Sequence, residues 1–153
     1  MKDIISLKSK LFSLCEDYVN QKIETAQEAI DNVQISANEE TKSSSGDKYE
    51  TGRSMMQLEI EKYSSQLEEG LKLKKTLNQI SLEKQSKSVV PGSLVITNNG
   101  NYFISISAGK LVFEGVDYFS ISSASPLGQS LNRRSVKDEI NFRDKVYKIE
   151  AIY

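Results

Sequence analysis

Ser43-Ser44-Ser45-Gly46-Asp47-Lys48-Tyr49-Glu50 decides the fold of this chain. The run of serines and the glycine break a pattern that is otherwise helical for most of the first 85 residues. Upstream, Ile4, Leu7, Leu11, Leu14 and Tyr18 recur at spacings of three and four, and Val19, Ile23, Ala26, Ile30 and Val33 continue the series one residue out of phase. That predicts one helix over 3–36, with a coiled-coil seam and a single phase slip. At about 1.5 Å per residue it is roughly 50 Å long. Downstream, Met56, Ile60, Tyr63, Leu67 and Leu71, then Leu73, Leu77 and Ile80, predict a second helix over about 48–85. Gly52 and Gly70 weaken it by about 1 kcal/mol each relative to alanine. Two helices of similar length on a short polar loop pair antiparallel. Each has one apolar stripe, so the hairpin buries one seam and leaves its outer faces open.

Composition changes at residues 86–92, which set the boundary between a hairpin (1–86, tip at about 40–50) and a second domain (87–153). Leu94–Thr97 and Tyr102–Ile106 read as strands across an Asn98-Asn99-Gly100 turn. Leu111–Phe113, Tyr118–Ile121, Ile140–Phe142 and Val146–Ile152 follow as strands. Ser125-Pro126 opens a short helix, with serine as the cap and proline in the first turn, and small Gly128 lets that helix lie close to the sheet. The fold class is α+β: an antiparallel helical hairpin, then a small domain of strands with one helix.

Several chemistries are excluded by composition. The chain has no histidine, which removes the commonest general base and every Ser-His or Cys-His pair. Its one cysteine, Cys15, forms no internal disulfide and reads as a small core residue in a helical pattern. Net charge is -1, with 13 Lys/Arg and 15 Asp/Glu in the first 88 residues against 7 and 6 in the rest, so neither half is a charged tail or a basic nucleic-acid surface. No apolar run has the length of a signal peptide or a membrane span, and a cytoplasmic protein is expected.

The Asp47–Glu50 spacing has two readings. Asp47 as N-cap and Glu50 three residues on make a capping box, which needs no function. Alternatively, the pair is an acidic tip that carries ionised oxygens into a narrow place, and such oxygens are what a hard cation such as Mg2+ accepts. Two carboxylates are too few to hold a metal alone, so the remaining ligands belong to a partner. Lys48 and Arg53 flank the tip and either meet phosphate or balance charge; Tyr49 is a contact residue or packs on helix one.

Taken together, these residues resemble the Gre family of bacterial transcript cleavage factors. Gly46-Asp47-Lys48-Tyr49-Glu50 is similar to the family's Gly-Asp-x-x-Glu tip, Ser125-Pro126-Leu127-Gly128 to its Ser-Pro-Leu-Gly segment, and Val136-Lys137-Asp138-Glu139-Ile140 lies where the family has Val-Gly-Asp-Glu-Val. The resemblance covers essentially the whole chain and implies that the second domain is FKBP-like. It implies a transcription elongation factor, expected as a monomer, that docks on RNA polymerase and inserts its coiled coil into the secondary channel. Asp47 and Glu50 would there help hold Mg2+ for cleavage of the backtracked transcript. Contact with nascent RNA is then indirect, DNA sequence is not read, and the catalytic site belongs to the polymerase. The chain departs from the family at Thr51-Gly52-Arg53-Ser54, where Asn-Ala-Glu-Tyr is usual, and at Asn132, Arg133 and Lys137, where Leu, Gly and Gly are favoured. These departures mark a divergent branch. The alternatives are an inhibitory or non-cleaving channel binder on the same scaffold, a structural coiled-coil adaptor, and a stand-alone peptidyl-prolyl isomerase.

Overall fold

A computed structural model describes the backbone of residues 2–42, 46–83 and 85–153 and the side chains of 3–39, 52–83 and 85–153. Two long helices, α1 (Lys2–Lys42) and α2 (Gly46–Asn78), precede six strands and one short helix. The strands are β1 (Leu94–Thr97), β2 (Gly100–Ser105), β3 (Gly109–Phe113), β4 (Val116–Ser122), β5 (Glu139–Phe142) and β6 (Lys145–Ile152), with α3 (Pro126–Leu131) between β4 and β5. The α+β class and the helical hairpin both stand. The second helix ends at Asn78, short of residue 85, and Gly46 lies inside it rather than in the loop.

Contacts divide the chain into two compact units: Met1–Tyr18 with Lys75–Tyr153, and Val19–Lys74. The second is the paired part of the helices. Its α1 stripe of Val19, Ala26, Ile30 and Val33 is buried, and Met56, Ile60, Tyr63 and Leu67 of α2 are half-buried. Leu71, expected on the seam, is half exposed at 50%, and Gly70 is buried in its place. A Cβ added at Gly70 would stand 2.9 Å from the Ile23 Cγ1. Glycine is therefore the contact residue there, because it lets α2 approach α1 where Ile23 projects.

In the other unit the strands form one sheet in the order β3-β4-β2-β1-β6-β5. All neighbours run antiparallel except β2 and β4, which pair in parallel from Tyr102↔Phe119 to Ser105↔Ser122. Parallel pairing requires a crossover, which β3 supplies by forming a hairpin with β4 at the sheet edge. One core layer holds Val95, Tyr102, Ile104, Leu131, Ile140, Tyr147 and Ile149, with Phe119, Ile121 and Leu127 packed against it. Also fully buried in this unit are Leu11, Cys15, Leu77, Leu94 and Phe103. Cys15 is a core residue, as its helical setting predicts. The first turns of α1 thus bury residues in the same unit as the strands.

No helix among the described residues is long and apolar enough to cross a membrane.

Candidate functional site

The tip motif is where the sequence places a candidate function, and the Ser-Pro-Leu-Gly segment is a structural motif that carries the family resemblance. Asp47, Lys48, Tyr49 and Glu50 occupy the first turn of α2, at the closed end of the hairpin. Their side chains lie outside the described residues. The backbone alone puts both carboxylate-bearing residues next to the unpaired N–H groups of a helix start, where negative charge is favoured. Arg53 is exposed about two turns into α2. No cluster of three or more metal-ligating side chains occurs among the described residues.

The Ser-Pro-Leu-Gly segment is fully described, and its geometry follows from residue type. Ser125 is the N-cap of α3, with extended backbone (φ -66°, ψ 158°), and Pro126 sits in the first turn. The Ser125 hydroxyl accepts from the Gly128 N–H at 3.1 Å and donates to the Ser122 carbonyl at 2.6 Å. It ties the helix start to the end of β4 with both halves of its hydrogen-bonding capacity. Gly128 is buried, and a Cβ there would fall 2.0 Å from the Ser122 oxygen. Only glycine permits that approach. Leu127 is half-buried against the core. These four residues position α3; none of them is arranged as a catalytic group.

Asp138 likewise acts within a turn. Its carboxylate accepts from the Ser135 N–H at 2.8 Å, and its carbonyl accepts from Ile149 N–H at 3.0 Å. The turn places Lys137 at φ 79° and follows Arg133 at φ 66°, the two positions where the resembled family favours glycine. Left-handed backbone is strained for residues with a Cβ.

Three polar arrangements have no clear signal in the sequence. The Lys8 ammonium is buried and donates to the Leu82 carbonyl at 3.5 Å; desolvation lowers its pKa below the usual lysine range. The Cys15 thiol lies 3.4 Å from the Ser120 hydroxyl and 3.6 Å from that of Ser105, which are themselves 2.7 Å apart. Burial pushes the Cys15 pKa up, so the group is a packed thiol and not a reactive thiolate. The turn between β1 and β2 is clamped to β6 by the Asn98 side-chain Oδ1, which accepts from Lys148 N–H at 2.7 Å, and by the Asn99 side-chain Nδ2, which donates to Val146 O at 2.7 Å.

No protein-family model and no curated protein matches this chain. A solved structure does. "Structure of the transcription factor Gfh1" aligns over 90% of this chain and 92% of that one, at 18% identity and a TM-score of 0.34. At that score the likeness carries no argument about function.

Proposed function

We propose that this chain is a Gre-like transcription elongation factor, acting in the cytoplasm on RNA polymerase. Its hairpin enters the secondary channel and its acidic tip supports Mg2+-dependent cleavage of backtracked transcripts. The observation that carries the reading is the position of Asp47 and Glu50 at the start of α2, at the closed end of an antiparallel hairpin that is followed in the chain by six strands and a short helix. Residues at the closed end of a hairpin are the ones a partner in a channel would reach first, whereas residues along the paired seam would be structural. The Ser125–Gly128 geometry supports the same reading, since the resembled segment has the residues that its tight packing needs.

The donor set of Asp47 and Glu50 suits a shared Mg2+ and not a resident one. Both supply hard carboxylate oxygens, and two such residues leave a cation's coordination incomplete. Asp47 and Glu50 would each offer an oxygen toward an ion held jointly with the polymerase and its phosphates. Bound there, the ion supplies activation of the attacking water and stabilisation of charge on the phosphate. The chain has no histidine and needs no general base of its own in this scheme. Lys48, Tyr49 and Arg53 are the contact residues the reading assigns to the channel wall. Thr51-Gly52-Arg53 favours the second reading, an inhibitory channel binder that docks identically without promoting cleavage.

Transcript cleavage by stalled, backtracked elongation complexes separates the two. The wild type is expected to stimulate cleavage, and Asp47→Ala/Glu50→Ala to lose that stimulation by about 100-fold or more while still binding polymerase. A wild type that binds and blocks elongation establishes the inhibitory reading. A wild type that does not bind polymerase removes both.

A further inference from the structure

The sheet ends in two edge strands, β3 and β5. An edge strand turns unpaired N–H and C=O groups outward, where a further strand can bond to them. Which residues do so on β3 follows from its hairpin with β4. Glu114 and Gly115 form the loop, and both have positive φ, 51° and 76°, as in a two-residue type I′ turn. Such a turn makes Phe113 and Val116 a hydrogen-bonded pair, and bonded pairs alternate with non-bonded ones along an antiparallel ladder. Phe113, Leu111 and Gly109 therefore bond to β4, and the backbone groups of Lys110 and Val112 face outward.

This edge is open and partly apolar. Val112 is 53% exposed, and Lys110 and Glu114 are exposed on either side of it. A Cβ built on Gly109, at one end, or on Gly115, in the turn at the other, meets no atom within 4 Å. The order along the edge is cation, valine, carboxylate. A lysine alone would guard an edge against unwanted strands. A lysine at one end and a glutamate at the other make the edge complementary to an antiparallel copy of itself, and repulsive to a parallel copy, in which like charges lie side by side. The β5 edge is different. The same reasoning from its Arg143-Asp144 turn, with φ of 50° and 64°, turns Glu139 and Asn141 outward, neither of them apolar. Antiparallel pairing of β3 on β5 would also bring Lys110 toward Arg143.

We propose that β3 pairs with β3 of a second copy of this chain, antiparallel about a two-fold axis at Leu111. Lys110 of each copy then exchanges both backbone bonds with Val112 of the other, which satisfies every outward group of the strand. Glu114 of the second copy becomes the diagonal neighbour of Lys110, within reach of two long side chains. The aliphatic stem of Lys110 covers the exposed valine opposite it. A two-fold interface uses one patch twice, and a self-complementary charge order is what that requires. The resemblance to the Gre family implies a monomer; the edge of this sheet implies a dimer of the free protein. The proposal goes beyond the polymerase reading and does not depend on it.

The test is sedimentation of the full chain across a concentration series at low salt, with circular dichroism as the check on folding. The wild type is expected to pass from monomer to dimer and to stop there. Lys110→Glu, at an exposed position, should weaken association about tenfold, because symmetry counts the reversed contact twice. Exchange of the charges in Lys110→Glu/Glu114→Lys should restore it. Val112→Pro removes an N–H that β4 does not use, so it should leave a folded monomer. A wild type that is monomeric at every concentration overturns the proposal. So does a dimer that survives folded Val112→Pro, which is joined elsewhere, and so does an exchange variant no better than Lys110→Glu alone. Growth past dimer means head-to-tail pairing of β3 on β5 and overturns the two-fold axis. None of these outcomes touches the polymerase reading.

Discussion

At the scale of single residues, the best-determined position is Gly128. Its α-carbon hydrogen faces the Ser122 carbonyl at a distance no methyl group tolerates, and the obstacle is backbone, which cannot swing aside as a flexible side chain can. Gly128→Ala should therefore destabilise the chain by about 3 kcal/mol or more, at the upper end of overpacking costs. Ser125→Ala removes a cap and should cost about 1 kcal/mol. Urea denaturation of both variants orders them, and a Gly128→Ala milder than Ser125→Ala would refute the packing account. Tyr102 supplies a pH dependence. Its hydroxyl donates to Asn99 O at 2.9 Å, and burial, then neighbouring Tyr147, push its pKa up to about 12 from an ordinary value of 10.0. The unfolded chain loses this proton first. The contribution of Tyr102 is thus complete below pH 10 and is lost as pH rises toward 12. Tyr102→Phe should be less stable at neutral pH yet show a shallower decline across that window in thermal melts. Equal alkaline slopes in the two proteins would remove Tyr102 as the cause.

At the scale of elements, Gly70 shows how a sequence pattern misleads. Counting apolar residues puts Leu71 on the seam, and propensity counts Gly70 as a defect. The structure reverses both, because the seam is set by how closely the backbones approach, and Ile23 fills the space a side chain would need. Gly70→Ala should thus gain little of the helix propensity that alanine offers, whereas in an Ile23→Ala background the same change should stabilise by up to about 1 kcal/mol. Additive effects in that double-mutant cycle would show that the two helices do not meet there. Local chemistry explains what was legible. The Asn98-Asn99-Gly100 turn, the Ser125 cap and the strand periods are each decided within a few residues. The parallel β2–β4 pairing and the Cys15–Ser105–Ser120 cluster join residues far apart in sequence, and no local period encodes them. The candidate tip was legible as a motif only, since two carboxylates are half of a site whose other half belongs to a partner.

At the scale of the whole molecule, composition and compactness place the division of the chain differently. Residues 86–92 mark a true change, from helical to strand-forming sequence, but contacts assign residues 1–18 and 75–86 to the unit that holds the sheet. Leu11, Cys15 and Leu77 are fully buried there, and the Cys15 thiol meets hydroxyls from β2 and β4. A sheet deprived of these residues exposes Leu94 and Phe103, both fully buried in the intact chain, on a face with no replacement cover. Leu11→Ala should then lower the stability of the sheet by about 2–5 kcal/mol, the cost of a buried leucine. Ile30→Ala, in the hairpin unit, should act on residues 19–74 alone. Amide hydrogen exchange reads both effects in the intact protein: Leu11→Ala should reduce protection at Phe103 and Ser120, and Ile30→Ala should leave those amides unchanged. The same reasoning predicts that residues 87–153 expressed alone lose the dispersed amide spectrum of a packed sheet. A fragment as well protected at Phe103 as the full chain would show that the strands and α3 suffice, and that the first turns of α1 only rest against a domain that folds without them.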